Sequence, residues 1–370
     1  MVKVAHLTSA HSRHDTRIFI KMCSSLAEEY DVFLVVSDGL GDLKTNKVNI
    51  VDVGARIGGR LSRMTKTVNL VFTKALDLDA DIYHLHDPEL LPIALKLKKL
   101  GKKVIFDSHE DVSKQMIGKP YLNLPLRKLI GWVFGIYERY VCAQIDVIIA
   151  ATPSIRDKFL KINTNSVDIN NFPLLDELAN TSDWSIKNDE VAYIGGIAII
   201  RGIAQLVRAM GVTKGVVLNL AGKFSEQDTE KMVKSYGSWE KVNELGFLSR
   251  QEVAHVLERS KIGLVTFLPL PNHIDSQPNK MFEYMSAGIP IITSNFSLWR
   301  DIVEGNECGL CVDPLDPQAI GEAIQYLIDH PALAEGMGVN GRKAVENKFN
   351  WPIEEKKLLE LYKGLSELKL

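Results

Sequence analysis

The chain of 370 residues contains only four cysteines and has no long uncharged hydrophobic run, short-period repeat or low-complexity tract. Without about 18 consecutive uncharged apolar residues, no transmembrane span is predicted. The opening segment Met1–Leu7 reads as a strand and not as a secretory signal, because polar residues follow it at once. Sparse cysteines point to a reducing compartment. These absences favour a cytoplasmic protein, with peripheral attachment to the inner face of the plasma membrane as the alternative.

Missing motifs also argue against two kinds of bound group. Cys308 and Cys311 form one C-x-x-C, but no second pair or nearby His completes a zinc set, so both are interpreted as small residues of a buried strand. No G-x-G-x-x-G follows a predicted strand, which argues against a nicotinamide dinucleotide site. The sequence therefore predicts neither a cofactor nor a structural metal.

The charges are divided unevenly along the chain. Residues 1–168 carry 24 Lys and Arg against 19 Asp and Glu, a net charge of +5, whereas the remainder carries 20 against 27, a net charge of −7. A chain of this length exceeds one ordinary hydrophobic core, so two domains of roughly 150–200 residues each are expected. The basic first half suggests that this domain meets something anionic.

Strand-like and helix-like segments alternate along the whole chain. Continuous apolar strands separated by amphipathic helices are typical of a parallel sheet covered on both faces. We therefore predict two doubly wound, Rossmann-like α/β domains over 1–168 and 169–352, with ligands outside the carboxyl ends of the strands. The predicted strands are Val2–Leu7, Val32–Val36, Ile50–Val53, Asp81–His86, Lys103–Ser108 and Asp146–Ala151, then Glu190–Ile194, Val216–Leu220, Lys241–Leu245, Ile262–Phe267, Ile289–Thr293 and Gly309–Val312; helical patterns include Arg17–Tyr30, Glu89–Leu100 and Leu126–Val141.

One segment, residues 278–292, is more informative than the rest. Its sequence PNKMFEYMSAGIPII predicts a short helix that Pro278 opens and Gly288 ends, followed by a buried strand. The first helix residues would offer backbone N–H groups at the positive end of the helix, which is an anion site. Those residues are Asn279, Lys280 and Met281.

The same helix carries both a cation and a carboxylate. Glu283 lies three residues after Lys280, so the two share one helix face. This arrangement suits a nucleotide, with phosphates at the amides and Lys280 and ribose hydroxyls at Glu283.

The pattern Pro-Asn-Lys-x-x-Glu-Tyr-Met-x-x-Gly-x-Pro resembles the donor-nucleotide signature of retaining GT-B glycosyltransferases of family 4, the group 1 glycosyl transferases. There, two acidic residues separated by seven others contact the sugar and the ribose. Glu283 matches the second position and Asp275 the first, where the family usually has Glu. The resemblance implies two domains facing across a cleft, an acceptor-binding domain at 1–168 and a donor-binding domain at 169–352. It also implies a final helix, 353–370, that crosses back to the first domain.

The second domain opens with a glycine pair, Gly195 and Gly196, followed by Arg201. The family usually has Gly-Arg and then Lys-Gly here, and both basic residues bind the donor diphosphate. Gly196 replaces the first basic residue and Arg201 the second, and a guanidinium can bind phosphate through two hydrogen bonds. Lys280 is a substitute for the missing charge. The alternative is that the glycine pair is only a tight turn.

In the first domain, polar residues follow three predicted strands. The loop after the first strand resembles family loops that contact the donor phosphate or the acceptor, although the usual glycine pair is absent; the alternative is local capping by Asp15. At the next two strand ends, His and acidic residues could contact the donor, form structural hydrogen bonds or bind a metal. His109 matches a family His that contacts the donor sugar. The acceptor-side candidates are His14, Arg17, His86, Asp87 and Glu110.

Residues 56–74 and 125–140 are both basic and apolar. The second stretch, with Arg127, Lys128, Trp132 and Phe134, resembles a membrane-interfacial surface, while the alternative is a core helix with solvated charges. Related bacterial-type enzymes often act on lipid-linked acceptors, so an anionic membrane surface is a candidate partner.

The resemblance implies a metal-independent hexosyltransferase whose co-substrate is a nucleotide diphosphate sugar, with UDP expected first and GDP second. The acceptor would be a hydroxyl of a glycan or lipid-linked molecule in cell-surface polysaccharide synthesis, and nucleic acid is not an expected partner. Arg201, Lys280 and helix amides would stabilise the leaving diphosphate. The acceptor would attack from the same face, with no protein general base beside the anomeric carbon. A nucleotide-sugar epimerase and a non-catalytic sugar-nucleotide sensor are the alternatives.

Overall fold

The protein is described by a computed structural model over residues 1–56, 58–59, 62–117, 124–175, 177–178 and 184–367. It divides into two compact units, which we call unit 1 (Met1–Asn171 with Pro352–Leu370) and unit 2 (Phe172–Trp351). The boundary expected after residue 168 and the observed one differ by the short segment 169–171.

Unit 1 contains an eight-stranded sheet. All of its strand pairs are parallel except that of β3 with β4, so the expected parallel sheet acquires an antiparallel edge. The order across the sheet is β3-β4-β2-β1-β5-β6-β7-β8. The strands are Lys3–Leu7 (β1), Asp31–Val36 (β2), Leu43–Thr45 (β3), Val48–Asp52 (β4), Ile82–Leu85 (β5), Lys103–Ser108 (β6), Val147–Ala150 (β7) and Ser166–Asp168 (β8).

Helices cover this sheet. Where one helix was predicted over Arg17–Tyr30, the chain forms a π-type helix at Thr16–Cys23 and a short α-helix that ends at Leu26. The helical segments of unit 1 are Thr16–Cys23, Ser24–Leu26 (α1), Arg63–Thr67, Val68–Leu78 (α2), Pro88–Leu90, Leu91–Lys99 (α3), Val112–Ile117 (α4), Leu124–Cys142 (α5) and Pro153–Leu160 (α6).

Unit 2 contains a six-stranded parallel sheet in the order β11-β10-β9-β12-β13-β14. Its strands are Glu190–Ile194 (β9), Val217–Ala221 (β10), Val242–Gly246 (β11), Ile262–Val265 (β12), Ile291–Ser294 (β13) and Gly309–Val312 (β14). Its helical segments are Trp184–Ile186, Ile199–Arg201, Ile203–Ala209 (α7), Gln227–Lys234 (α8), Gly237–Lys241, Arg250–Arg259 (α9), Pro271–Ile274 (α10), Asn279–Ser286 (α11), Ser297–Val303 (α12), Pro317–Asp329 (α13) and Pro331–Asn347 (α14).

The last helix, Trp351–Glu367 (α15), belongs to unit 1 from Pro352 onward. Its Tyr362 is fully buried, and the phenolic oxygen lies 2.8 Å from Nδ1 of His84 beside β1 and β5. The helix therefore completes unit 1, as the resemblance implied for 353–370, whose last three residues lie outside the described chain. Among the described helices, none has the length and hydropathy needed to span a membrane.

Candidate functional site

A hydrogen bond joins helix α11 to the carboxyl end of β9. The backbone N–H of Ile194 donates a hydrogen bond to the hydroxyl of Tyr284, at 2.9 Å. Glycine is required opposite this ring, because a Cβ on Gly263 would lie 2.2 Å from it. The helix ends just before Gly288, whose φ of +69° lies in the left-handed region that glycine tolerates. The predicted helix and its glycine stop are therefore present next to the strand end.

The N-terminus of α11 offers two free amides and not the predicted three. Pro278 is the N-cap, and the N–H of Met281 donates to its carbonyl at 3.0 Å. Met281 is also fully buried, and its predicted contact with a ligand stays a prediction. Among the described residues, nothing accepts from the N–H groups of Asn279 and Lys280. These two amides remain available to an anion.

Lys280 has a buried amino group for which none of the described residues is a hydrogen-bond partner. Its Nζ lies 3.7 Å from the ring centroid of Tyr193 and has no hydrogen-bond partner among the described residues. Burial and the nearby Arg201 guanidinium hold the pKa of Lys280 well below its ordinary value, although Glu283 opposes the shift. An unpaired buried ammonium is costly, so the site is poised for an anionic group that would restore its charge.

The glycine pair at the end of β9 gives Arg201 its position. Nη1 of Arg201 donates to the carbonyl of Gly196 at 3.1 Å, and a Cβ on Gly196 would lie 2.7 Å from that nitrogen. Gly195 has a φ of +114°, and a Cβ there would stand 3.4 Å from Nζ of Lys280. Gly195 therefore lies beside Lys280, and Gly196 lies beside Arg201. Any side chain at position 196 would occupy the space that the guanidinium of Arg201 takes.

Glu283 is half-buried and paired with a residue that sequence reasoning missed. Its Oε1 accepts from Nη1 of Arg250 at 2.8 Å, and the same guanidinium contacts Glu177 at 2.7 Å. Arg250 begins α9, which Ser249 caps, and no motif links it to Glu283 in the sequence. Asp275, the other member of the expected acidic pair, is half-buried just after α10.

In unit 1, a buried carboxylate at the end of β6 holds three side chains. Asp107 accepts two hydrogen bonds from Arg17, at 2.9 and 2.7 Å, and its Oδ2 lies 3.2 Å from Nδ1 of His86 and 3.0 Å from Nε2 of His109. Burial would raise the pKa of Asp107, but Arg17 and His109 hold it well below its ordinary value. Because an ionised carboxylate only accepts hydrogen bonds, His109 must present Nε2–H to it.

A second buried carboxylate, Asp87, lies at the end of β5. It accepts from the N–H of Ser9 at 2.6 Å and the hydroxyl of Thr8 at 2.8 Å, and its Oδ1 is 3.0 Å from Nδ1 of His11. Although burial opposes it, the bond with His11 lowers the pKa of Asp87 far below its ordinary value. Burial would lower the pKa of His11, but Asp87 raises it overall. Sequence reasoning passed over His11, whose partner follows a different strand.

Three further rings form a buried column behind these carboxylates. Nδ1 of His6 lies 2.8 Å from Nε2 of His86, and the hydroxyl of Tyr362 lies near both His6 and His84. Burial is the main cause that lowers the pKa of His86 to about 4 and holds the pKa values of His6 and His84 well below their ordinary value. The column is therefore neutral at physiological pH.

Two overlapping groups of side chains have the spacing of a metal site. The ligand atoms of His6, His84 and His86 lie within 4.8 Å of one another, as do those of His86, Asp107 and His109. Hydrogen bonds already join most of these atoms to each other. The expectation that no metal is bound stays a prediction.

The remaining acceptor-side candidates are scattered. Arg17, like His86, is buried, and Nη1 of Arg17 donates to the carbonyl of Ile169 at 2.8 Å. His14 and Glu110 are exposed; His14 lies against the ring of Phe19 and Glu110 bonds the side chain of Gln115. Asp15 caps the helix at Thr16–Cys23, accepting from two backbone N–H groups. The side chains that bond residues of different strands are thus the buried carboxylates of Asp87 and Asp107, and not the exposed His14 and Glu110.

Helix α5 exposes an apolar stripe. Phe134, which was predicted to belong to the interfacial surface, is instead half-buried against the core of unit 1. Trp132 is 66% exposed, and Lys128 and Arg139 are exposed on the same helix. The stripe comprises Leu129, Trp132, Val133, Ile136, Tyr137 and Tyr140, at helical spacing.

The chain matches two family descriptions in succession. Residues 16–169 match "Glycosyltransferase Family 4", and residues 177–344 match "Glycosyl transferases group 1". The two matches fall in unit 1 and unit 2, respectively.

Curated relatives are similar at low identity. A capsular polysaccharide biosynthesis glycosyltransferase of Staphylococcus aureus is 26% identical over 58% of this chain and 60% of that protein. An MMP alpha-(1->4)-mannosyltransferase of Mycolicibacterium hassiacum is 22% identical over 72% of this chain and 66% of that protein. The chain thus spans about 60% of the length of the first curated relatives that it matches.

Solved structures share the fold over the full length. A sucrose-phosphate synthase from Thermosynechococcus elongatus has a TM-score of 0.79 at 18% identity and covers 100% of both chains. Anabaena HepE, in complex with UDP and glucose, has a TM-score of 0.76 at 15% identity and covers 98% of this chain and 100% of its own. The predicted fold of two Rossmann-like domains is confirmed.

Proposed function

Because the chain belongs to the GT-B glycosyltransferases of group 1, we propose that it transfers a hexosyl group from a nucleotide diphosphate sugar to a hydroxyl of a glycan or lipid-linked acceptor. The transfer proceeds with retention of configuration at the anomeric carbon. The similarity to a capsular polysaccharide biosynthesis enzyme favours cell-surface polysaccharide as the product. The Anabaena neighbour that binds UDP makes UDP the first nucleotide to test, with GDP second.

The buried amino group of Lys280, which has no hydrogen-bond partner among the described residues, carries this proposal. It lies beside Gly195, which leaves room for a ligand to approach the backbone, and near Arg201 and the two free amides of α11. These donors suit the β-phosphate of a departing nucleoside diphosphate, where negative charge develops. Glu283, on the same helix, is proposed to bind the two ribose hydroxyls, and Asp275 is proposed as the carboxylate that contacts the sugar.

In unit 1, His109 is assigned to the donor sugar, and the loop after β1 to the acceptor. The ring of His109 is held on Asp107 through Nε2, and none of the described residues forms a hydrogen bond with Nδ1 of His109. Arg17 and His86 act through Asp107 and not on a substrate, because both are buried against it. No step in this mechanism requires a metal ion.

Calorimetric titration with UDP, GDP and ADP tests the donor assignment. We expect the uridine diphosphate to bind with the lowest dissociation constant and uridine alone to bind far more weakly, since the proposed site is built around the diphosphate. Equal binding of all three diphosphates and of free uridine would overturn it. Incubation of the preferred nucleotide sugar without acceptor separates a transferase from an epimerase, because only an epimerase returns a second nucleotide sugar.

A membrane surface is the proposed location of the acceptor. The observation in favour is the exposed stripe of α5, where aromatic and aliphatic side chains stand beside exposed basic residues. Such a face lies in the interface of an anionic bilayer, with the rings in the headgroup region. The net charge of +5 over residues 1–168 adds an attraction that depends on ionic strength.

A further inference from the structure

Three charged side chains of unit 2 form an ion-pair network at the first turn of α9. Nη1 of Arg250 donates to Oε1 of Glu283 at 2.8 Å, and Nε of Arg250 donates to Oε1 of Glu177 at 2.7 Å. None of the described residues forms a hydrogen bond with Oε2 of Glu283. The guanidinium therefore holds one oxygen of Glu283 and leaves the other available to a ligand.

Arg250 occupies a position that is unfavourable for α9 itself. It is the first residue of the helix, directly after the N-cap Ser249, and a cation at that end opposes the helix dipole. Burial would lower the pKa of Arg250, but the bonds with Glu177 and the attraction of Glu283 raise it above its ordinary value. The favourable contacts of Arg250 are therefore with the two carboxylates and not with the helix that carries it.

Glu283 is one of two residues of α11 that are not buried, the other being Asn279. Burial and the Arg201 guanidinium lower the pKa of Lys280, and Glu283 opposes this shift, so the carboxylate acts electrostatically on the amino group. A phosphate group bound at Lys280 would carry the same sign of charge as Glu283 and would be repelled by it. Arg250 offsets the charge of Glu283, so the carboxylate can accept hydrogen bonds from neutral hydroxyls close to a bound anion.

We propose that Arg250 is a positioning residue through which the donor site selects a ribonucleoside diphosphate over its 2′-deoxy analogue. The inference rests on the proposed function, which assigns the ribose hydroxyls to Glu283, and adds the residue that fixes the direction of its carboxylate. With Oε1 bound to the guanidinium, Glu283 is held in one rotamer before the nucleotide arrives. Without Arg250, ordering this side chain on binding would cost conformational entropy and weaken its bonds to the ribose.

Calorimetric titration with UDP and 2′-deoxy-UDP tests the inference. We expect the wild type to bind UDP about ten-fold more tightly, because the analogue lacks one hydroxyl and with it about one hydrogen bond to Glu283. In Arg250→Met the ratio of the two dissociation constants should fall toward one. This variant keeps an aliphatic side chain for packing and removes the guanidinium. The ratio is the decisive quantity, because a merely structural role would weaken both ligands by the same factor.

Arg259→Met is the matched control. Arg259 ends the same helix, is 42% exposed against 44% for Arg250, and lies 2.8 Å from a carboxylate oxygen of Glu190. This variant should keep the wild-type ratio. Arg250→Lys should keep part of the preference, because an ammonium can still pair with Glu283 but lacks the planar fork that binds two carboxylates.

A double variant separates an effect through Glu283 from any other effect. In Glu283→Ala the preference for UDP over 2′-deoxy-UDP should already be lost, and adding Arg250→Met should change the ratio no further. A further change of the ratio in the double variant would mean that Arg250 acts on the ribose without Glu283, which overturns its role as a positioning residue.

The remaining outcomes separate this inference from the proposed function. If the wild type prefers UDP and Arg250→Met keeps the same ratio, this inference is wrong and the proposed function stands. If the wild type binds UDP and 2′-deoxy-UDP equally, the assignment of Glu283 to the ribose is wrong, and so is this inference. If the wild type binds no nucleoside diphosphate, the proposed function itself fails.

Discussion

His11 and His109 lie side by side, with ring centroids 4.9 Å apart, and each imidazole stands on its own buried carboxylate. The two pairs are bonded in opposite senses: Asp87 contacts Nδ1 of His11, whereas Asp107 contacts Nε2 of His109. Among the described residues, no hydrogen bond is made by Nε2 of His11 or by Nδ1 of His109. The two neighbouring histidines thus bind their carboxylates through different ring nitrogens.

Glu283→Ala should weaken UDP binding about 30- to 150-fold. The carboxylate would lose charge-assisted hydrogen bonds to ribose worth roughly 2–3 kcal/mol, at 1.4 kcal/mol per decade of affinity. Calorimetry measures the loss. Glu177→Ala is the control, because it removes the other carboxylate that Arg250 contacts and should change the UDP affinity little. If both variants lose the same UDP affinity, Glu283 acts through its ion pair with Arg250 and not through hydrogen bonds to the ribose.

Lys280 should take up a proton when UDP binds. Its pKa lies well below the ordinary value in the free protein, and a diphosphate beside Nζ would raise it. Calorimetry in buffers of different ionisation enthalpy should therefore report proton uptake at a pH between the pKa values of Lys280 in the free and the UDP-bound protein. Lys280→Met should abolish the uptake, while Lys231→Met, on the exposed face of α8, should keep it. Uptake that persists in Lys280→Met assigns the proton to another group.

Arg201→Ala should weaken the binding of UDP much more than that of uridine. The guanidinium is held against Gly196 at the carboxyl end of β9, and the proposal assigns it to the diphosphate and not to the ribose. With Lys280→Met it should show a coupling energy in a double-mutant cycle, because both cations act on one ligand group. Equal losses for uridine and UDP would make Arg201 a structural residue.

The protein should sediment with anionic vesicles, and not with neutral ones, at low salt. Replacing Trp132 and Ile136 by Ser should lower the vesicle affinity about ten-fold or more, since burial of one large apolar side chain is worth about 1.5–3 kcal/mol. Phe247→Ser, which removes an exposed aromatic ring of unit 2, is the control. If vesicle binding does not depend on lipid charge, or if the double variant binds as well as the wild type, α5 is not the membrane-binding surface.

Mild acid should destabilise the fold through the buried histidines. The pKa of His86 is about 4 in the folded protein against 6.5 ordinarily, so the unfolded chain binds the proton first and stability falls as pH drops from about 6.5 to 4. At pH 5 this amounts to about 2 kcal/mol for His86. Denaturant unfolding at pH 7 and pH 5 measures it. His86→Gln should show a smaller difference between the two pH values, and His255→Gln the wild-type difference.

Patterns of neighbouring residues predicted the fold and the donor helix. The β-branched runs of Glu190–Ile194 and Gly309–Val312 became β9 and β14 with the predicted bounds, because a buried parallel strand leaves a continuous apolar signature. β3 and β8 were missed, since each has three residues and no apolar run. The family resemblance rested on contiguous residues of α11 and is confirmed.

Most of the histidine arrangement in unit 1 could not be predicted from the sequence. His6 and His84 meet because β1 and β5 pair with these two residues in register, and no local pattern reports that register. His11 depends on Asp87, and Glu283 on Arg250, across different elements. Such pairs are fixed by sheet order and helix packing, which a single sequence expresses only weakly.

The helix α15 also sets the order in which the protein can mature on the ribosome. Tyr362 and Glu354 fill unit 1, the latter by accepting from the N–H of Asn170 at 2.8 Å, yet both are synthesised after the whole of unit 2. Until they emerge, Asn170 lacks this partner and His84 lacks its phenol, so the nascent first unit exposes buried polar groups. Unit 2 can therefore complete its folding before unit 1, although its residues are synthesised later than the first 171. Unit 1 completes its core only when α15 has been synthesised.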